Sequence, residues 1–154
     1  MKKITNAILI SLVLFFAIPM FFSATDPVEV VETNETTVYE MYDAKTKKWS
    51  EVKLDRNPVA NGGDENFWNI VNSQIVYPDR AWRARLEGDV ILEMTISEKG
   101  QLVELKVIQE VGGGCEEEAF NAIKVASTNR FIPAMMDGKP VKVRYNVSIN
   151  FTVG

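Results

Sequence analysis

The stretch Val141-Lys142-Val143-Arg144-Tyr145-Asn146-Val147-Ser148-Ile149-Asn150-Phe151-Thr152-Val153 decides the fold. Val141, Val143, Tyr145, Val147, Ile149, Phe151 and Val153 alternate with Lys142, Arg144, Asn146, Ser148, Asn150 and Thr152. A period of two puts one face on a core and the other in water, which is the pattern of an antiparallel sheet. Such a strand cannot stand alone, so its partners must lie upstream.

Immediately upstream, Glu116 to Ser127 reads as a helix with a buried stripe of Ala119, Phe120, Ile123 and Ala126. Glu116, Glu117 and Glu118 fall in its first turn, where negative charge meets the positive end of the helix dipole. Further back, Val90, Leu92, Met94 and Ile96 alternate with polar neighbours in a second strand. Glu98-Lys99-Gly100 turns the chain into a return strand, on which Val103, Leu105 and Val107 are expected inward. Gly112-Gly113-Gly114 breaks that strand. A first helix is expected from Asp64 to Ile75, with Phe67, Ile70, Val71 and Ile75 on one stripe and Asp64 as its cap. Tyr77-Pro78 stops it, and Asp79 to Leu86 reads as a short polar turn. The order helix, strand, strand, helix, strand predicts an α+β fold: two helices packed on a three-stranded antiparallel sheet.

Ahead of this unit the chain changes character. Residues 1–24 begin with Lys2 and Lys3, continue through an uncharged apolar run from Ala7 to Phe22, and end at Ser23-Ala24. That is the pattern of a signal peptide, and its shortness and Pro19 favour cleavage over the alternative of an inner-membrane anchor. Either reading places the remainder outside the cytoplasm. Residues 25–60 form a polar linker with one hairpin, Val38 to Tyr42 with Trp49 to Leu54, and residues 61–154 form the domain. Asn61-Gly62-Gly63 marks the boundary. Sequons occur at Asn34, Asn146 and Asn150, the last two within the final strand, and are read as chance.

Composition narrows function. The chain has 154 residues, a formal net charge of −4, no histidine and one cysteine. The acidic balance argues against nucleic acid. Without histidine the usual general base and the commonest metal ligand are gone. Cys115 precedes a helix start, which favours its thiolate, but it has no histidine to activate it and no second thiol to resolve it. Trp49, Trp68 and Trp82 read as packing residues, and Met135-Met136 beside Asp137-Gly138 as loop and rim packing. No catalytic site, cofactor site or metal site can be assembled from these residues, so the chain does not read as an enzyme.

From Pro58 to Val153 the sequence resembles the C-terminal domain of the TonB family of energy transducers. The resemblance is carried by Tyr77-Pro78-Asp79-Arg80-Ala81, Glu87-Gly88-Asp89-Val90, Gly100, Glu118-Ala119, Phe131-Ile132-Pro133-Ala134, Gly138-Lys139-Pro140-Val141 and Phe151. Gly62-Gly63-Asp64 and Gly113-Gly114-Cys115 are similar to versions common in Bacteroidetes. The resemblance implies two helices against a three-stranded antiparallel sheet. It also implies a partner: the TonB box, a short extended segment of outer-membrane receptors, added as a strand on an exposed edge. The final strand is the expected edge, through the backbone of Lys142, Arg144, Asn146, Ser148 and Asn150. Tyr77, Pro78, Arg80 and Ala81 are expected beside the docked box.

Two features of the family's proton-driven members are missing. Their anchoring helix carries a histidine that meets the inner-membrane proton-channel motor, and this chain has none. They also carry a long Pro-rich spacer, whereas the roughly 40 residues ahead of this domain reach at most about 130 to 140 Å fully stretched. Two roles are therefore expected of the same edge. One is receptor binding linked to energised transport of siderophores, cobalamin or glycans across the outer membrane. The other is a structural module that pairs with itself as a homodimer.

Overall fold

The computed structural model describes residues 37–153. The expected export segment and the sequon at Asn34 lie outside them. In chain order the elements are strands β1 (Tyr39–Asp43), β2 (Lys48–Val52) and β3 (Val59–Ala60), then helices α1 (Asp64–Gln74) and α2 (Asp79–Ala84). Strands β4 (Gly88–Ile96) and β5 (Leu102–Gln109) come next, then helix α3 (Cys115–Ala126). The chain ends with β6 (Phe131–Ile132), β7 (Ala134–Met136), β8 (Lys139–Val141) and β9 (Val143–Phe151). This is the α+β architecture that the periodicities predict.

The main sheet has the order β2-β1-β9-β4-β5, with every neighbour antiparallel. Its centre is the long pair β4–β9, in unbroken register from Gly88 opposite Phe151 to Ile96 opposite Val143. Val90, Leu92, Met94 and Ile96 meet Val143, Ile149 and Phe151 on the inner face, all fully buried. Phe67 and Val71 of α1, with Ala119, Ala122, Ile123 and Ala126 of α3, close over them. Burying a Leu, Ile or Phe side chain stabilises by about 1.5–3 kcal/mol, so this layer is the main source of stability.

Two glycines fit because of close approach. Gly100, at φ +71 in the β4–β5 turn, would put a Cβ 1.8 Å from the Phe131 carbonyl oxygen. That carbon's absence lets the Phe131 N–H donate to Gly100 O at 2.7 Å, tying β6 to the turn. Gly113, at φ +67, would put a Cβ 2.8 Å from Cα and Cβ of Ala81.

The structure corrects several expectations. The sheet has five strands because the hairpin β1–β2 joins it through β1 alongside β9. The backbone of Asp55 and Arg56 bonds to Met135, and β3 pairs with β6, so residues 37–60 are integrated with the domain beyond the expected boundary at 61. Asp79 to Leu86 is mostly helix α2, started by Pro78 and short enough to show no apolar period. Asp64 does not cap α1; Gly63 holds that position, and the Asp64 carboxylate accepts the Ala60 N–H at 3.0 Å. Ala122 is buried in place of the expected Phe120, which is only half-buried.

Val103 points outward, 52% exposed. A bulge between Leu102 and Glu104, opposite Ile96 and Thr95, inserts it as an extra residue and resets the alternation. The last strand also breaks at Lys142, because Lys139–Val141 folds back on Ala134–Met136 through Asp137-Gly138, at φ 51 and φ 69. Two successive positive φ values make a hairpin turn of the kind an Asp-Gly pair prefers. Met135 and Met136 are thus strand residues.

Candidate docking edge on the last strand

The expectation that the last strand is a free edge is half corrected. β9 has β4 on one flank and β1 on the other, but β1 covers only its first residues: Met41 opposite Val143 and Glu40 opposite Arg144. The Tyr42 N–H donates to Lys142 O at 3.0 Å, so the backbone polar groups of Lys142 face β1. Backbone groups in an antiparallel strand alternate between flanks with a period of two. The β4–β9 register has no slip, so Arg144, Asn146, Ser148 and Asn150 also present N–H and C=O on the β1 flank. β1 takes Lys142 and Arg144. Among the described residues no strand lies against Asn146, Ser148 and Asn150 on that side.

Charge and aromatic rings hold the covered end. The Arg144 guanidinium pairs with the Glu40 carboxylate through Nε and reaches Glu93 at 3.4 Å through Nη1. It lies 4.7 Å from the centre of the Trp49 ring. The Lys142 ammonium stands 5.1 Å above Tyr42 and 5.6 Å above Trp49. On the inner face Tyr39 meets Tyr145 with ring centres 5.2 Å apart. Burial, then the neighbouring Tyr39 and Asp64, push the Tyr145 hydroxyl above its ordinary pKa, so it stays neutral.

The open end of β9 runs toward the second group of expected site residues. The Tyr77 ring packs edge-on against Phe151, 5.6 Å between centres, and edge-on against Trp82 at 5.7 Å. Its hydroxyl donates to Leu86 O, and burial raises its pKa. Pro78 is half-buried, in reach of a Cβ built on Gly114. Arg80 is exposed on α2. Ala81 is a correction: it is fully buried against Gly113 and cannot touch a partner. Trp82, 41% exposed, and Val76, 67% exposed, complete an apolar rim around Tyr77 that sequence reasoning missed. The only signal for them was an apolar residue on either side of Tyr77-Pro78.

The sheet's other flanks suit strand addition less. β5 carries two bulges, which leave Val103 and Ile108 outward, and its middle bears Glu104 and Lys106 paired at 2.9 Å. Bulges and charges blunt an edge against pairing. β2 is short, with Lys48 and Glu51 exposed. Asn146 to Asn150 is straight, backed by an unbroken ladder and free of bulges.

The remaining candidates have structural roles. Cys115 is buried, and its thiol is pushed up to about 11 by burial and by Glu116, the reverse of the activation expected at a helix start. Glu116 accepts the Gly112 N–H and Glu118 the Val76 N–H, so these carboxylates tie loops to α3. Among the described residues no three acidic or thiol side chains cluster as a metal site would require.

The domain is thus α+β, with one straight strand flank that is partly vacant among the described residues, beside an aromatic rim. The family described as Gram-negative bacterial TonB protein C-terminal matches residues 73–153, more than half of the chain, and the chain belongs to that family. Among solved structures it is similar to the C-terminal domain of Helicobacter pylori TonB, determined by NMR in solution. That similarity has 20% identity and a TM-score of 0.45, and covers 58% of this chain and 79% of the other. No curated protein matches the chain.

Proposed function

We propose that this domain is a periplasmic receptor-binding module of the TonB type. It takes the TonB box of an outer-membrane receptor as an added strand on the vacant flank of β9, in the service of energised nutrient uptake. The observation that carries this reading is the row of backbone groups at Asn146, Ser148 and Asn150 that have no strand partner among the described residues, ending at the Tyr77–Phe151 contact. Unpaired strand groups are a template for another chain, and main-chain bonds supply affinity while side-chain contacts select the partner. Tyr77, Pro78 and Arg80, with Trp82 and Val76, would meet the box where it leaves the sheet. Membership of the TonB C-terminal family supports the same reading.

The direct test is amide exchange on the full chain with and without a synthetic TonB-box peptide. New protection at Asn146, Ser148 and Asn150 is expected, with none gained along β5. Protection on β5 instead, or a stable dimer in light scattering that ignores every box peptide, overturns the proposal.

A further inference from the structure

Among the described residues, β1 is the one strand the molecule lays on the partner-facing flank of β9, and its contacts state what chemistry that flank accepts. It runs antiparallel to β9, with Glu40 opposite Arg144 and Met41 opposite Val143. The Glu40 carboxylate sits on the Arg144 guanidinium, Tyr39 rests on Tyr145, and the Tyr42 ring lies beneath the Lys142 ammonium. The pattern is aromatic, acid, apolar, aromatic, with the acid and the second ring on the outer sheet face. Yet the hairpin is weakly rooted. No residue from Thr37 to Lys53 is buried, and the core begins only beyond it. Segments with few buried apolar contacts open locally at low free energy.

We propose that β1 is a built-in mimic of the partner's docking segment. An acidic extended peptide displaces the β1–β2 hairpin from Lys142 and Arg144, lies antiparallel along the whole of β9, and sets a carboxylate on Arg144. This rests on the strand-addition reading above and adds the partner's orientation, charge and register. Glu93 keeps a carboxylate on Arg144 while the strands exchange. The tethered strand competes at the millimolar-range effective concentration of a short connection, so the unmodified chain favours segments that replace both the carboxylate and the rings.

The experiment titrates full chain with the peptide Thr-Val-Tyr-Glu-Met-Tyr-Asp, the sequence of residues 37–43, and with a version carrying glutamine for its glutamate. Proteins are the parent, Trp49→Ala, which removes the ring under Arg144 and Lys142, and Arg144→Gln. Trp49→Ala is expected to bind the acidic peptide several-fold more tightly than the parent. The glutamine peptide is expected to bind roughly three- to tenfold more weakly, a preference lost in Arg144→Gln. Exchange of the Tyr42 amide reports displacement and is expected to quicken as peptide is added. Equal binding of the two peptides, or binding with Tyr42 protection unchanged, overturns this inference while leaving strand addition at Asn146–Asn150 standing. No binding by any variant also overturns this inference, whereas the strand-addition reading itself falls only if TonB-box peptides give no protection at Asn146, Ser148 and Asn150.

Discussion

The two ends of β9 share one backbone and one partner on the β4 side, yet differ on the opposite flank. At Val143 and Arg144 the flank is closed by β1 and held by Glu40, Trp49 and Tyr39. From Asn146 to Asn150 it is vacant among the described residues, while the same residues stay locked to β4. The comparison separates two jobs along one strand. Residues with backbone groups toward β4 hold the sheet together, and alternate residues face whatever arrives from outside. Under the proposed function, stability and recognition therefore interleave residue by residue.

The strongest way to break this comparison is to remove the backing of the open end. Phe151 is fully buried and supports Tyr77 at the open end. Phe151→Ala is expected to cost about 3–5 kcal/mol in chemical denaturation. A cost below about 1 kcal/mol would place the open end outside the cooperative core. Next comes a pair of adjacent prolines. Val147 directs its N–H to β4, so Val147→Pro removes a ladder bond and is expected to cost about 3 kcal/mol or more. Ser148 directs its N–H to the vacant flank, so Ser148→Pro is expected to melt close to the parent while binding a TonB-box peptide about tenfold more weakly. If the two variants melted alike, the assignment of flanks from the Tyr42–Lys142 bond would be wrong.

Much of this was legible beforehand, and the reasons for the remainder are physical. β4 and β9 announce themselves because long half-buried strands alternate without interruption. The Val38 to Leu54 hairpin was visible from its own two strands, but its docking on β9 was not. That contact is made by Glu40 with Arg144 and by Trp49 with two cations, and such pairs leave no periodicity. Val103 was misplaced because a bulge is one residue long and shifts parity without changing composition. The α2 helix was missed because its six residues bury only Ala81. Asp137-Gly138 did carry a hairpin signal, obscured by the two methionines before it. For the candidate docking edge, period alone groups Lys142, Arg144, Asn146, Ser148 and Asn150 at alternate positions of β9. That Lys142 and Arg144 are already occupied depends on long-range pairing that no local pattern encodes.

A smaller effect sharpens the comparison at the covered end. Trp49→Ala is expected to lower overall stability by only about 0.5–1 kcal/mol, since its contacts are half-exposed cation–ring pairs. It should nevertheless speed amide exchange in β1 while leaving the β4–β9 ladder protected. Uniform exchange across both regions would mean that hairpin and core open together.

The smallest expected effect is the acid response of the hairpin turn. The Asp43 carboxylate accepts the Lys45 N–H at 2.8 Å and the Thr46 hydroxyl at 2.9 Å. These bonds, the Lys45 N–H foremost, hold its pKa below the ordinary 3.8. A carboxyl depressed in the folded state stabilises fully above its unfolded pKa and loses that contribution as pH falls through the folded one. The β1–β2 turn should therefore loosen below about pH 4. The Trp49 ring, 5.2 Å from Tyr42 across the hairpin, reports it through its indole proton signal. Asp43→Asn keeps a side-chain acceptor for the turn but does not titrate in this range, so its Trp49 signal should show a shallower acid dependence than the parent's. Identical acid profiles in the two proteins would mean that the Asp43 turn is not where the covered end of β9 first comes open.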